Sequence, residues 1–247
     1  MSGAGGIQQG PVQFMPANSI KEAEKWAKKN IVQKEANYYG MSVDVANDVN
    51  KTIFNLQEQG MPKLYRIESK LIRENGTVAQ VSQNGNLQLN RKYLKTKLEL
   101  AKLEARVEKQ RQELSDTVKD LEGMIKQGKE LPEDLQKLLK AAKENLKHKH
   151  QFSVNGVPGI INHEMGHQLW YQGYKIEGKG FQEWRDIVRG ATKQAREAKY
   201  KYNISAYASE AGRAVYTETF AEAFALYQHG DIAGLPPKLL NLFEKYF

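Results

Sequence analysis

The chain has 247 residues, enough for one well-packed domain with an appendage, and a net charge of +8. It contains no cysteine, which removes disulfides, thiolate nucleophiles and cysteine-based zinc fingers from consideration. No apolar run approaches the ~20 residues that span a bilayer, so no membrane partner is expected.

Residues 1–17 are rich in Gly, Gln and Pro, lack the apolar core of a secretion signal, and read as a flexible arm. Ser19 with Glu22 three positions on has the form of a capping box, so the first helix is predicted to start there. A second helix is predicted from Ser42 to Gln59, with Val45, Val49, Ile53 and Leu56 on one side and Gly60 as the stop. Leu64 to Glu68, Thr77 to Val81 and Leu87 to Asn90 alternate like strands, with a turn signal at Asn84-Gly85-Asn86. Residues 18–90 therefore predict helices and a small sheet.

Residues 91–150 differ in character. Leu100, Val107, Leu114 and Leu121 recur every seven positions, Leu103 and Val118 widen the stripe, and most other positions are charged. Gly128 and Pro132-Glu133-Asp134 interrupt it, and Leu135, Leu138, Leu139, Ala142 and Leu146 form a second apolar face. This predicts an inserted helical hairpin, either an interaction arm or a spacer with solvated charges. Its 16 Lys or Arg against 11 Asp or Glu suggest acidic partners, nucleic acid among them, but without a recognised binding fold. His148 and His150 alternate with Lys147 and Lys149, which suits a helix C-terminus better than a second metal site, since no carboxylates accompany them.

Residues 151–247 carry the chemistry. Gly156, Pro158 and Gly159 lead into Ile161-Asn162-His163-Glu164-Met165-Gly166-His167, where an early Pro suits a helix start. On a helix, positions four apart share a face, so His163 and His167 can reach one metal ion. Glu164 sits where its carboxylate can serve as general base beside the water such a metal activates. Gly166 inside a helix costs up to ~1 kcal/mol against Ala, which predicts a close approach by another element. Downstream, Val215 to Tyr227 reads as a largely buried helix that nevertheless carries Glu218 and Glu222, four apart. Buried carboxylates need a metal or hydrogen-bond partner, so one as ligand and one as its support is the economical reading. A solvated stripe or salt bridges to basic neighbours is the alternative. His229 before Gly230 reads as part of a helix C-terminal cap.

The pattern His163-Glu164-Met165-Gly166-His167, with Glu218-x-Phe220-Ala221-Glu222-x-Phe224-Ala225 some fifty residues later, resembles the catalytic domain of the anthrax lethal factor family. These are gluzincins, zinc peptidases whose third protein ligand is a glutamate, and related domains occur in bacteriophage head-associated proteins. The likeness is specific over residues 155 to 228 and general before them. It implies an α+β zincin-like fold with Zn2+ held by His163, His167 and Glu218, Glu222 supporting them, and Glu164 as general base. The family's Ser-x-Tyr-Ala context, whose phenol helps stabilise the reacting carbonyl oxygen, is matched by Ser205-Ala206-Tyr207-Ala208, making Tyr207 the candidate. The gap from Tyr207 to Glu218 is several residues longer than the family pattern, so Tyr216 competes for the role. In such peptidases an edge strand beside the metal helix pairs with extended substrate. Leu87, Gln88 and Leu89 are the strand expected to do so, with an ordinary hairpin as the alternative.

The implied activity is a zinc-dependent endopeptidase acting on a protein or peptide, in a virion or host cytoplasm. Its hairpin would contact a capsid or other virion protein. Two other classes stay open: a virion structural protein that keeps the zinc fold for packing, and a nucleic-acid-binding accessory protein that uses the basic hairpin.

Overall fold

The computed structural model describes residues 13–74, 76–147, 155–197, 204–205 and 215–247. It is a mixed α+β structure. Helix α1 (Ile20–Asn30) is followed by strand β1 (Val32–Asn37), helix α2 (Val43–Glu58) and strands β2 (Leu64–Lys70), β3 (Ala79–Val81) and β4 (Asn86–Asn90). The hairpin helices α3 (Lys97–Lys126) and α4 (Glu133–Leu146) come next. Then follow α5 (Gly156–Gln172), the short α6 (Tyr174–Glu177), α7 (Phe181–Glu197), α8 (Val215–His229) and α9 (Pro237–Tyr246).

The helix ends follow local chemistry. Ser19 Oγ accepts from the Glu22 amide, and the Glu22 carboxylate accepts from the Asn18 amide, one position short of a reciprocal box. At the end of α2, Gly60 takes φ +102° while the Gly60 and Met61 amides return to Gln57 and Leu56 carbonyls. Of the expected arm, residues 13–17 are described: Ala17 exchanges two hydrogen bonds with the Asn47 side chain, and Phe14 meets Trp26 edge-on.

The sheet runs β1-β2-β4-β3, with β1-β2 and β2-β4 parallel and β3-β4 antiparallel. This corrects the expectation for Leu87, Gln88 and Leu89. Strand β4 is interior, hydrogen-bonded to β2 on one side and β3 on the other, and Leu87 and Leu89 are fully buried. It has no free edge to offer a peptide. The edge beside the later helices is β3.

One buried cluster joins α1, α2, the sheet, α5, α7, α8 and α9, and the start of α3 reaches it through Leu100. Asn90, fully buried, holds the 71–78 loop by donating to Ile72 and Thr77 carbonyls, and its oxygen accepts from the Lys92 amide. Beyond Glu104 the hairpin leaves this body and forms a small core of its own around Val118, Leu121, Leu131, Leu139 and Ala142. Among the described residues, no helix is long and apolar enough to cross a membrane.

Candidate metal centre

Helix α5 is buried nearly all round, so its polar residues cannot face bulk water. It runs beside α2, β3 and α8. The contact with α8 is tight at Gly166. A Cβ built there would lie 2.8 Å from Ala221 Cα and 3.2 Å from Phe224 Cβ. The predicted close approach is therefore to the backbone of α8. Gly166 and Ala221 sit inside the two motifs, so the crossing that lets the helices touch also turns their histidine and glutamate side chains toward one point.

At that point His163 Nε2 and His167 Nε2 are 3.1 Å apart, and Glu218 Oε2 lies 3.4 Å from each. The three residues offer ligand atoms within 4.8 Å of one another. The arrangement is a possible metal-binding triad. Glu222 stands behind it, with Oε1 2.7 Å from His163 Nδ1 and only 3 % of the residue exposed. A carboxylate there fixes the ring so that Nε2 points into the triad, the arrangement that orients metal-binding histidines.

Electrostatics favour a cation at this spot. Burial alone would push the His163 imidazole down, yet the Glu218 and Glu222 carboxylates hold it well above the ordinary histidine value. Burial opposes ionisation of Glu218, but the two imidazoles keep its carboxyl well below the usual range. Charges that trap a proton between two carboxylates also suit a divalent ion, and two imidazoles with one carboxylate are a borderline-soft donor set that fits zinc.

Glu164 faces the same space without joining the triad. Burial pushes its carboxyl up, moderated by His163 and His167 and, least of all, by the nearby Val81 amide of β3. Two more polar residues of that face, at four-residue steps, meet the β3-β4 turn. Gln172 Nε2 donates to the Gln83 carbonyl at 2.7 Å, and the Gln168 amide packs against Gly85. Gly85 has φ +78°, and a Cβ would sit 3.1 Å from Gln168 Nε2, so both turn geometry and space require glycine. Helix α5 thus grips the edge strand with the same face that carries Glu164.

Tyr207 and the histidines His148 and His150 lie outside the described residues. Tyr216 is placed: the guanidinium groups of Arg189 and Arg196 on α7 each lie 5.5 Å from its ring centre. Two positions from Glu218 is about 200° around a helix, so its phenol points to the α7 side rather than to the triad. Tyr171 was missed by the sequence reading. It is half-buried seven positions after Glu164, within about 20° of the same face, and burial, then the charges of Glu218 and Glu164, raise its phenol. Helical counting from Glu164 would have found it. His229 ends α8, and the closing bonds are made by backbone: Gly230 and Asp231 amides donate to Tyr227 and Leu226 carbonyls. Comparison of the chain with protein families, curated proteins and solved structures finds no match.

Proposed function

We propose that the chain is a zinc-dependent endopeptidase with a zincin-like arrangement of metal helix and edge strand. The observation that supports this most is the meeting of His163, His167 and Glu218 at one point, with a buried Glu164 beside them and Glu222 behind. His163, His167 and Glu218 would hold the ion. Zinc bound there supplies Lewis acidity, polarising a carbonyl oxygen and making water a usable nucleophile near neutral pH.

The chain's own groups do the rest. A Glu164 carboxylate oxygen takes a proton from the attacking water and returns it to the leaving amine nitrogen, and a carboxyl raised by burial is the better base for that task. The Val81 amide of β3 lies near this carboxylate and favours its charged form. By the register of β3 with β4, the backbone groups of Ala79 and Val81 face away from β4. Apart from the Val81 amide, they offer an extended peptide a place to pair beside Glu164. Tyr171 is the described phenol within reach of both Glu218 and Glu164 charges, and it suits a polar role at the substrate oxygen.

The test is metal content and cleavage measured on the same preparations. Purified wild type is expected to carry one zinc per chain and to cut members of a mixed peptide library until a chelator is added. Glu218→Ala is expected to lose the metal. A metal-free wild type prepared without chelator would overturn the zinc assignment. A zinc-loaded chain that leaves the whole library intact would overturn the peptidase assignment.

A further inference from the structure

Helix α7 is held to the body by one side and leaves another side to solvent. Trp184 anchors it: the indole N–H donates to the Leu169 and Trp170 carbonyls, and the ring occupies space that only Gly173 leaves open, since a Cβ there would collide with it. Arg185, Arg189 and Arg196 lie about 100–140° around from Trp184, within about 40° of one another. They form one row about 16 Å long. Among the described residues none of the three pairs with a carboxylate. Among the described side chains, the nearby acids are otherwise engaged. Glu177 and Glu183 bind Lys179, Glu177 also binds Lys245, and Asp186 accepts from Gln182.

What the arginines do contact is aromatic. Arg185 lies 5.5 Å from the Phe181 ring centre, and Arg189 and Arg196 lie at the same distance from Tyr216. Phe181 in turn meets Tyr174 edge-on at 5.8 Å, and Lys175 sits 5.8 Å over Tyr174. Cations and rings therefore alternate across α6, α7 and the start of α8. Phe181 is 48 % exposed, so part of its ring is open to a partner.

We infer that this face binds single-stranded nucleic acid, with arginine edges on the phosphates and the exposed ring of Phe181 under a base. Stacking on a ring occupies a guanidinium's flat face and leaves its N–H edge free, which is the edge that grips phosphate. The rings decide between ligands. An acidic peptide would need the charges but not Phe181, and a duplex keeps its bases stacked inside, out of reach of the ring. This surface is separate from the metal centre, and its role does not depend on the peptidase reading. It also differs from the hairpin, whose residues 97–146 hold 11 basic and 11 acidic side chains and so present no net charge.

The experiment is fluorescence anisotropy of labelled oligodeoxythymidylate, about 12 nucleotides long, titrated with the full chain across a salt series. Binding is expected to weaken with salt at a log–log slope of about −2 to −3, for three or four phosphates. The triple variant R185Q/R189Q/R196Q is expected to flatten that slope by about 2. Phe181→Ala is expected to weaken binding roughly tenfold at an unchanged slope. The double variant K175Q/R185Q, which leaves the arginines on Tyr216 intact, guards against a packing defect in the triple and should flatten the slope by about 1.4. No binding at low salt, binding indifferent to these variants, tighter binding of a duplex, or equal competition by polyglutamate would each overturn the inference.

Discussion

Two helix pairs in this molecule solve opposite problems. The α5–α8 pair crosses at Gly166 and Ala221, with backbone nearly touching backbone, and it encloses His163, Glu164, His167, Glu218 and Glu222. The α3–α4 pair meets through leucines and holds its charged groups outside, in ion pairs such as Lys143–Glu122 and Lys137–Glu133. In the first pair the interior charges gather around one point, three carboxylates against two imidazoles, and need a counterpart. In the second no ionisable group needs one. Buried charge is costly unless compensated, so the contrast marks where the chain carries charge that simple packing does not need.

The comparison breaks first at Glu164. Glu164→Gln is expected to lower peptide hydrolysis by about 10²- to 10⁴-fold while zinc content stays at the wild-type level. Retained turnover would remove Glu164 as the base. Next is the hairpin. Leu139→Ala empties a well-packed site in an isolated core, a change that costs about 2–5 kcal/mol where it falls. Hydrogen exchange should speed up in α3 beyond Glu104 and in α4, with metal affinity unmoved. Coupled loss of metal would mean the two pairs are one cooperative unit.

Gly166→Ala works on the other pair. Overpacking of this kind costs about 1–3 kcal/mol, visible as a lower denaturant midpoint, and metal affinity should fall with it because the helices must separate. An unchanged midpoint would contradict the close crossing. Glu222→Ala is milder: His163 loses its orienting carboxylate, and zinc affinity measured against an indicator chelator should drop by about 10- to 100-fold. A complete loss, with Glu218→Ala retaining metal, would exchange the roles of the two glutamates. Smallest of all, Lys143→Ala removes an exposed, solvent-screened ion pair, and thermal stability should barely move.

What could be seen in the sequence was whatever is encoded over short spans. The His163–His167 spacing, the Glu218–Glu222 spacing and the Gly166 gap are each properties of one helix, and all three reappear as geometry. The hairpin break at Gly128, which takes φ +80°, was equally local. Strand β1 escaped notice because Val32 to Asn37 buries fully only Val32, and its order comes from pairing with β2 far along the chain. The edge was misplaced for a related reason. Alternation shows that Leu87 and Leu89 face a core, but only the parallel pairing with β2 shows that β4 lies inside the sheet. The row of arginines on α7 went unread because a surplus was sought where basic residues are most numerous. Within residues 97–146 of that region, acids cancel them.

Glu104 adds one more consequence. Its carboxylate accepts from the Gly156 amide at 2.6 Å, so a residue of the projecting arm closes the first turn of the helix that carries both imidazoles. The arm is thus no detachable ornament. An excision joining Thr96 to Asn155 would leave the leading amide of α5 without its acceptor, a defect of about 0.5–2 kcal/mol by analogy with lost caps. A trimmed version should keep the stem through Glu104 and sacrifice only the outer turns.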